Sequence, residues 1–360
     1  MPEKISEALR TNASVTGVGI ILFTAGVGAL LLKRGRREAW PMLGLSALLV
    51  FNFFLSKNFF SIVERDGAYY GTPINLLNQG SEVMLLAIGL TLVIAVRGID
   101  LSVSSVMALS GATCVILMKD HQYPPLVAAL VSLLVAGGAG LFNGALVTLL
   151  NIQPIIVTLI SMIGIRGVAM LITNAEPVTH VDATFAFIGN GHLGGLPFSM
   201  LLVAVVFAIA ALLSRKTALG LFMEAIGDNE RASHLAGVSD RRIKLCLYGF
   251  SGLCAGIAGL VAASYISTAD PDRVGRLREL DAIFAVVIGG TALTGGRFYL
   301  GGTLVGALLI QTLSITMYSQ HVPSEIEPMP KAIVMLMSCL LISEESRRRL
   351  VALFGVRRWQ

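Results

Sequence analysis

Apolar runs of about 20 residues, each long enough to cross a bilayer core as a helix, recur along the whole of this chain. They fall near 13–32, 41–57, 74–96, 101–118, 124–150, 154–173, 198–213, 245–266, 281–295, 299–318 and 330–343, with polar residues collected in the short gaps between them. The pattern predicts an all-α, polytopic membrane protein of about 10–11 transmembrane helices. The expected organisation is an extra amino-terminal helix with a basic turn over 1–40, a transmembrane domain over 41–343 and a basic tail over 344–360. The first run is too long for the apolar region of a signal peptide and should remain as an anchor.

One polar interruption is long, from Leu213 to Gly237 and on to Lys244. Within it Leu221, Phe222, Ala225 and Ile226 share one helical face, Gly227 can stop that helix, and Asp228 or Asn229 can cap a second one that Gly237 ends. The spacing predicts two short amphipathic helices outside the bilayer. Their apolar face needs a cover, either a groove on a separate protein subunit or the lipid interface.

Composition sharpens the class. The chain is 55% hydrophobic and 14% charged, where soluble globules carry about a quarter charged residues. Placing 214–244 inside the cell puts most of the 27 Lys and Arg residues on the same side, as basic inner loops require, so the net charge of +5 calls for no nucleic acid. Cys114, Cys246, Cys254 and Cys339 lie in apolar runs without metal-ligand spacing, and no metal is expected.

Charges inside the apolar runs are costly and so informative. Glu82 and Arg166 fall at similar depth in their runs, and a direct pair or a shared polar cavity is the expected arrangement. Arg97-Gly-Ile-Asp-Leu-Ser-Val-Ser-Ser105 interrupts an apolar stretch and is either a tight turn or a broken helix entering the bilayer. Similar Gly-interrupted chain follows Glu279 and hints at a duplicated half. The loop from Ala269 to Asp281, which alternates Arg with acids, is expected on the outer surface. Gly249, Gly252, Gly256 and Gly259, with Gly140 and Gly144, form small-residue stripes for helix packing. Candidates for a translocation path are Asn75, Asn78, Gln79, Glu82, Asp100, Ser102, Asn143, Gln153, Thr158, Arg166 and Thr291, whose side chains include the amide and hydroxyl groups a neutral polyhydroxylated substrate would bond.

Gly290-Thr-Ala-Leu-Thr-Gly-Gly-Arg297 lacks the Lys and Ser or Thr of a phosphate-binding loop, so no ATP site is expected on this chain, and no catalytic constellation is present. On residues alone, an autonomous ion- or proton-coupled carrier using Glu82, Asp100 and Arg166 stays open.

Gly98-Ile-Asp-Leu-Ser-Val103, Glu224-Ala-Ile-Gly-Asp-Asn-Glu-Arg-Ala232 with Ala236-Gly237, Ser251 to Gly259, and Glu279-Leu-Asp-Ala-Ile283 with Gly289 to Gly296 resemble the permease subunits of bacterial ribose/xylose-type ABC sugar importers. Asp66 to Asn78 and Arg215 to Gly220 are most similar to its galactofuranose-type members. Ser104 stands where the family pattern often has Gly, and the run at 13–32 is an addition. The resemblance implies a multi-pass protein of the bacterial inner membrane that moves a monosaccharide. It further implies a cytoplasmic ATPase that binds the ATP and grips Glu224, Ala225, Gly227, Asn229, Ala232 and Gly237, a periplasmic sugar-binding protein, and a second permease subunit, all in a setting of membrane lipid.

Overall fold

The computed structural model describes residues 2–33, 39–56, 59–65, 67–323 and 325–342, so the basic turn at 34–38 and the tail from 344 lie outside the described residues. The helices are α1 (Pro2–Lys33), α2 (Ala39–Leu55), α3 (Thr72–Ala95), α4 (Val103–Lys119), α5 (Pro125–Leu149), α6 (Pro154–Ile172), α7 (Ala183–Asn190), α8 (Phe198–Lys216), α9 (Ala218–Asp228), α10 (Glu230–Leu235), α11 (Asp240–Ile266), α12 (Arg278–Ile288), α13 (Leu300–Ser319) and α14 (Pro328–Ile342). Strand is limited, among the described residues, to the hairpin of β1 (Ile62–Arg65) with β2 (Ala68–Gly71) and to two pairings of two residues each. Six helices, α3, α5, α6, α8, α11 and α13, are long and apolar enough to cross a membrane, and shorter apolar helices occupy Thr16–Leu32, Ala39–Leu55, Val103–Lys119 and Pro328–Met337. A helix bonds its backbone within itself, which is why apolar sequence in hydrocarbon takes this form. Proline in the first turn of α3, α5 and α6 sets those starts, where its missing N–H removes nothing.

α3 and α11 are buried on nearly every side, whereas α5, α6 and α8 leave a face outward. The glycine stripe explains the centre. A Cβ on Gly140 would strike the Tyr248 carbonyl oxygen, one on Gly252 that of Ala136, and one on Gly259 that of Met107. Small residues thus let α4, α5 and α11 touch backbone to backbone, as the spacing predicts.

Two breaks interrupt this bundle. After α3, Arg97 takes a left-handed φ of 62° and the chain runs without helix to α4, with Asp100 and Ser102 no more than 1% exposed. The polar groups of this break are therefore enclosed by protein. The crossing expected at 281–295 needs correction. α12 has only 11 residues, about 16 Å of helix, too short for a core of about 30 Å. Glycines end it: Gly290, Gly295 and Gly296 all have positive φ, and Gly289 packs against the backbone of Gly302. Irregular chain from Gly289 to Tyr299 continues the path, and the Gly296 N–H donates to the Ala95 carbonyl at 2.9 Å. The two stretches whose likeness hinted at duplication lie against each other.

The loop from Ala269 to Asp281 packs on the bundle along part of its length, with Ala269, Pro271, Gly275 and Glu279 buried while Asp272, Arg273 and Arg276 stay exposed. Arg166 of α6 donates from Nη1 to the Pro271 and Val274 carbonyls at 2.7 and 3.3 Å, and Gly275 packs on the Ser104 carbonyl and the Met107 sulfur. A charge lying twelve residues along an apolar helix needs acceptors at that depth, and the loop supplies them.

Candidate functional site

The long polar interruption folds into α9 and α10 as its caps predict. Asn229 Oδ1 accepts from the Ala232 N–H at 3.1 Å to start α10, and Gly237 follows its end at φ 85°. One face of α9 packs on the bundle, and part of its apolar face is left open for a cover. Met223, Ile226 and Gly227 turn inward, and Leu221 and Phe222 are 69% and 37% exposed. A Cβ on Gly227 would collide with the Ala95 carbonyl oxygen and the Gly296 nitrogen, so α9 presents Gly227, which has no side chain, to both breaks.

Arg97 completes the joint. Its Nε donates to the Gly227 carbonyl at 2.8 Å and its Nη2 to the Asp228 carbonyl at 2.7 Å. A guanidinium there satisfies terminal carbonyls of α9 and faces the negative end of its dipole. Opposite this joint, Glu224, Asn229, Ala232 and Gly237 are exposed and Ala225 is half-buried; Gly227 alone among the coupling candidates is inaccessible. Leu235, at 88% exposure, belongs to the same outward surface.

Asp100, Ser102, Asn143 and Thr158 are brought together, but their bonds go to one another, to Ser251 and to backbone. Asp100 Oδ1 accepts from the Ser102 hydroxyl at 2.6 Å and N–H at 3.1 Å, Oδ2 accepts from Ser251 at 3.2 Å, and Asn143 Nδ2 donates to Ser102 Oγ at 2.7 Å. Thr158 Oγ1 donates to the Ile99 carbonyl at 3.1 Å. The Asp100 carboxylate thus lies just ahead of α4, where the helix amino end favours a negative group. Asn78 joins α3 to the Gly189 carbonyl and Ser199, Gln79 reaches Tyr265 at 3.5 Å, and Thr291 accepts from the Tyr299 N–H at 3.0 Å. Asn75 and Gln153 are exposed at the starts of α3 and α6.

The expected pairing of Glu82 with Arg166 is not formed. Glu82 Oε2 lies 3.6 Å from Arg278 Nη2, and Arg278 Nη1 lies 3.5 Å from Asp281. Lys331 then bridges Asp281 and Glu327, each at 2.8 Å, and Tyr318 donates to Glu327 at 2.8 Å. The inserted loop carries Arg278 to Glu82 and leaves Arg166 on another flank of α12.

Arg166 lines a cleft of about 430 Å³ with Ser104, Asp272, Arg276 and Glu279, walled on its apolar side by Met162, Ile163 and Met170. Glu279 is 9% exposed, and its Oε2 has no hydrogen-bond partner. The roles of Arg97, Asp272, Arg276, Arg278, Glu279 and Lys331 depend on contacts between distant segments, which a reading of local sequence does not reveal. A clue lies in the charges set directly against the apolar run of α12.

A bundle of apolar helices long enough to cross a membrane, with breaks enclosed by protein and a polar cleft beside them, has the architecture of a multi-pass membrane protein. The chain belongs to the family described as branched-chain amino acid transport system / permease component, matched over residues 72–342. It is 44% identical over 328 residues to the galactofuranose transporter permease protein of Escherichia coli, covering 89% of this chain and 95% of that one. It is 36% identical over 319 residues to the ribose import permease protein of Escherichia coli, covering 85% and 96%, and 35% identical over 311 residues to the fructose import permease protein of Bifidobacterium longum, covering 84% and 86%. No solved structure matches the chain.

Proposed function

We propose that this chain is the membrane subunit of an ATP-driven importer in a bacterial inner membrane, carrying a monosaccharide inward. The relatives named for galactofuranose, ribose and fructose support sugar as the cargo, and the high identity to the first favours a furanose-type hexose. The observation that carries the mechanism is the seat of Gly227. A short helix displayed on the surface is wedged, through one glycine and one arginine, against both broken segments of the bundle.

A cytoplasmic ATPase gripping the outward face at Glu224, Ala225, Asn229, Ala232 and Gly237 would move α9 as a rigid body. Arg97 would then pass that motion to the break after α3, and the Ala95–Gly296 bond to the break after α12. Both are irregular backbone, able to shift without unwinding a helix. ATP is bound by the partner, and its cycle biases inward against outward states by binding them unequally. A sugar-binding protein delivers cargo on the opposite side, and a second permease subunit completes the pathway, shielding its polar groups as lipid cannot.

Co-purification of the chain with its ATPase, comparing native protein with Ala232→Arg and Glu224→Arg, tests this reading. Loss of the ATPase from the variants, with the membrane subunit still folded, is the expected result. Retention in both, or uptake driven by an imposed ion gradient without any ATPase, would replace it with an autonomous carrier.

A further inference from the structure

The cleft between α6 and the amino end of α12 holds opposite charges that do not meet. Among the described residues, Arg166, Asp272, Arg276 and Glu279 form no ion pair with one another, although all four line one space. Arg166 is held back because its Nη1 is committed to the Pro271 and Val274 carbonyls, which leaves its Nε and Nη2 without a partner among the described residues. Glu279 is fixed in the first turn of α12, with Oε2 buried and unbonded. Leu277, just before that turn, holds a left-handed φ of 62°, a conformation a branched side chain adopts only under constraint, and it aims the turn.

We propose that this cleft is the sugar contact of the permease, an assignment that rests on the importer reading above. Glu279 Oε2 accepts a hydrogen bond from one sugar hydroxyl, and Arg166 donates from Nε or Nη2 to the oxygen of another, with Asp272 and Arg276 at the rim. Three features select a neutral monosaccharide. The lining carries two cations and two anions, so it favours no net charge. Its free groups are an acceptor and donors held apart, which hydroxyls on adjacent carbons bridge because each both donates and accepts. The volume of about 430 Å³ lies toward the small end of ligand sites. The walls of Met162, Ile163 and Met170 take the ring's apolar face. Two bonds from an otherwise open cleft hold cargo weakly, as a carrier must.

The test uses the complete importer, with its ATPase and binding protein, in proteoliposomes given radiolabelled D-galactose, D-ribose or D-fructose. Glu279→Gln and Glu279→Leu are each expected to lower uptake at least about tenfold, the loss of a hydrogen bond to a charged group. ATP hydrolysis stimulated by the binding protein should stay near the native rate, and the order of preference among the three sugars should change. Met162→Trp, which narrows the cleft and leaves every charge in place, is expected to slow the hexoses more than the pentose. The assignment is overturned if Glu279→Gln leaves uptake and preference as in the native importer. It is equally overturned if uptake and hydrolysis fall by one factor with preference unchanged, the mark of a structural role. A native importer that moves none of the sugars would bring down the importer reading itself, and this assignment with it.

Discussion

On one flank of α12, Lys331 sits 2.8 Å from both Asp281 and Glu327, and Arg278 joins Asp281 to Glu82, all at 27% exposure or less. On another flank, Arg166, Asp272, Arg276 and Glu279 line a cleft and make no ion pair with one another among the described residues. The same residue types have thus been used in two ways, buried together in the first and partly exposed in the second. In the first, every charge is spent on another, which locks α12 to α3 and α14. In the second, Arg166 is bonded to backbone instead and Glu279 Oε2 is left unpartnered, an arrangement that costs stability and persists where function needs open valences.

The largest effect should come from breaking the spent cluster. Lys331→Met leaves Asp281 buried and half-paired, and is expected to cost about 3–5 kcal/mol in thermal or denaturant unfolding of the solubilised protein. Asp281→Leu combined with Lys331→Met should restore most of that loss, since an apolar pair of similar bulk can replace a buried ion pair. A steric change supplies the next step down. Gly227→Ala must push back the Ala95 and Gly296 backbones, at about 1–3 kcal/mol by the same measurement.

Glu279→Gln is expected to shift stability by less than about 1 kcal/mol, because no protein bond of Glu279 Oε2 is lost, while transport falls. A large destabilisation there would erase the distinction between the two flanks. The smallest effect is one of pH. Burial raises the Glu327 pKa, but hydrogen bonds from Lys331, Ser314 and Tyr318 and the Lys331 charge outweigh it and hold the carboxyl below its usual 4.5. Its contribution is therefore present above pH 4.5 and is lost as pH falls through the lowered value. The Lys331→Met protein should show a shallower acid slope in the same unfolding series.

Much of this architecture is legible in the order of residues, for identifiable reasons. Hydropathy marks the helices because only internally bonded backbone survives in hydrocarbon. Asn229 and Gly237 mark α10 because capping is local chemistry, and the glycines of α11 mark its contact with α5 and α4 because close approach excludes side chains. What stayed hidden depends on where distant segments meet. The Gly-interrupted run after Asp281 does not by itself show that α12 stops at Ile288, since the glycines that end it read equally as packing residues. Glu82 and Arg166 match in depth along their helices, yet depth fixes neither azimuth nor what loop is inserted beside them. Nor does the apolar face of α9 reveal that Gly227 is seated against the Ala95 and Gly296 backbones, a contact between distant segments.

The central claim is that an ATPase drives this bundle through α9, with Arg97 as the fastening. The number of sugar molecules moved per ATP hydrolysed, measured for the reconstituted importer with Arg97→Gln, tests it most directly. Loss of the bonds to the Gly227 and Asp228 carbonyls should leave the ATPase bound and hydrolysing while that ratio collapses. A native ratio in the variant would contradict the account, because motion of α9 would then reach the broken segments without the residue that joins them.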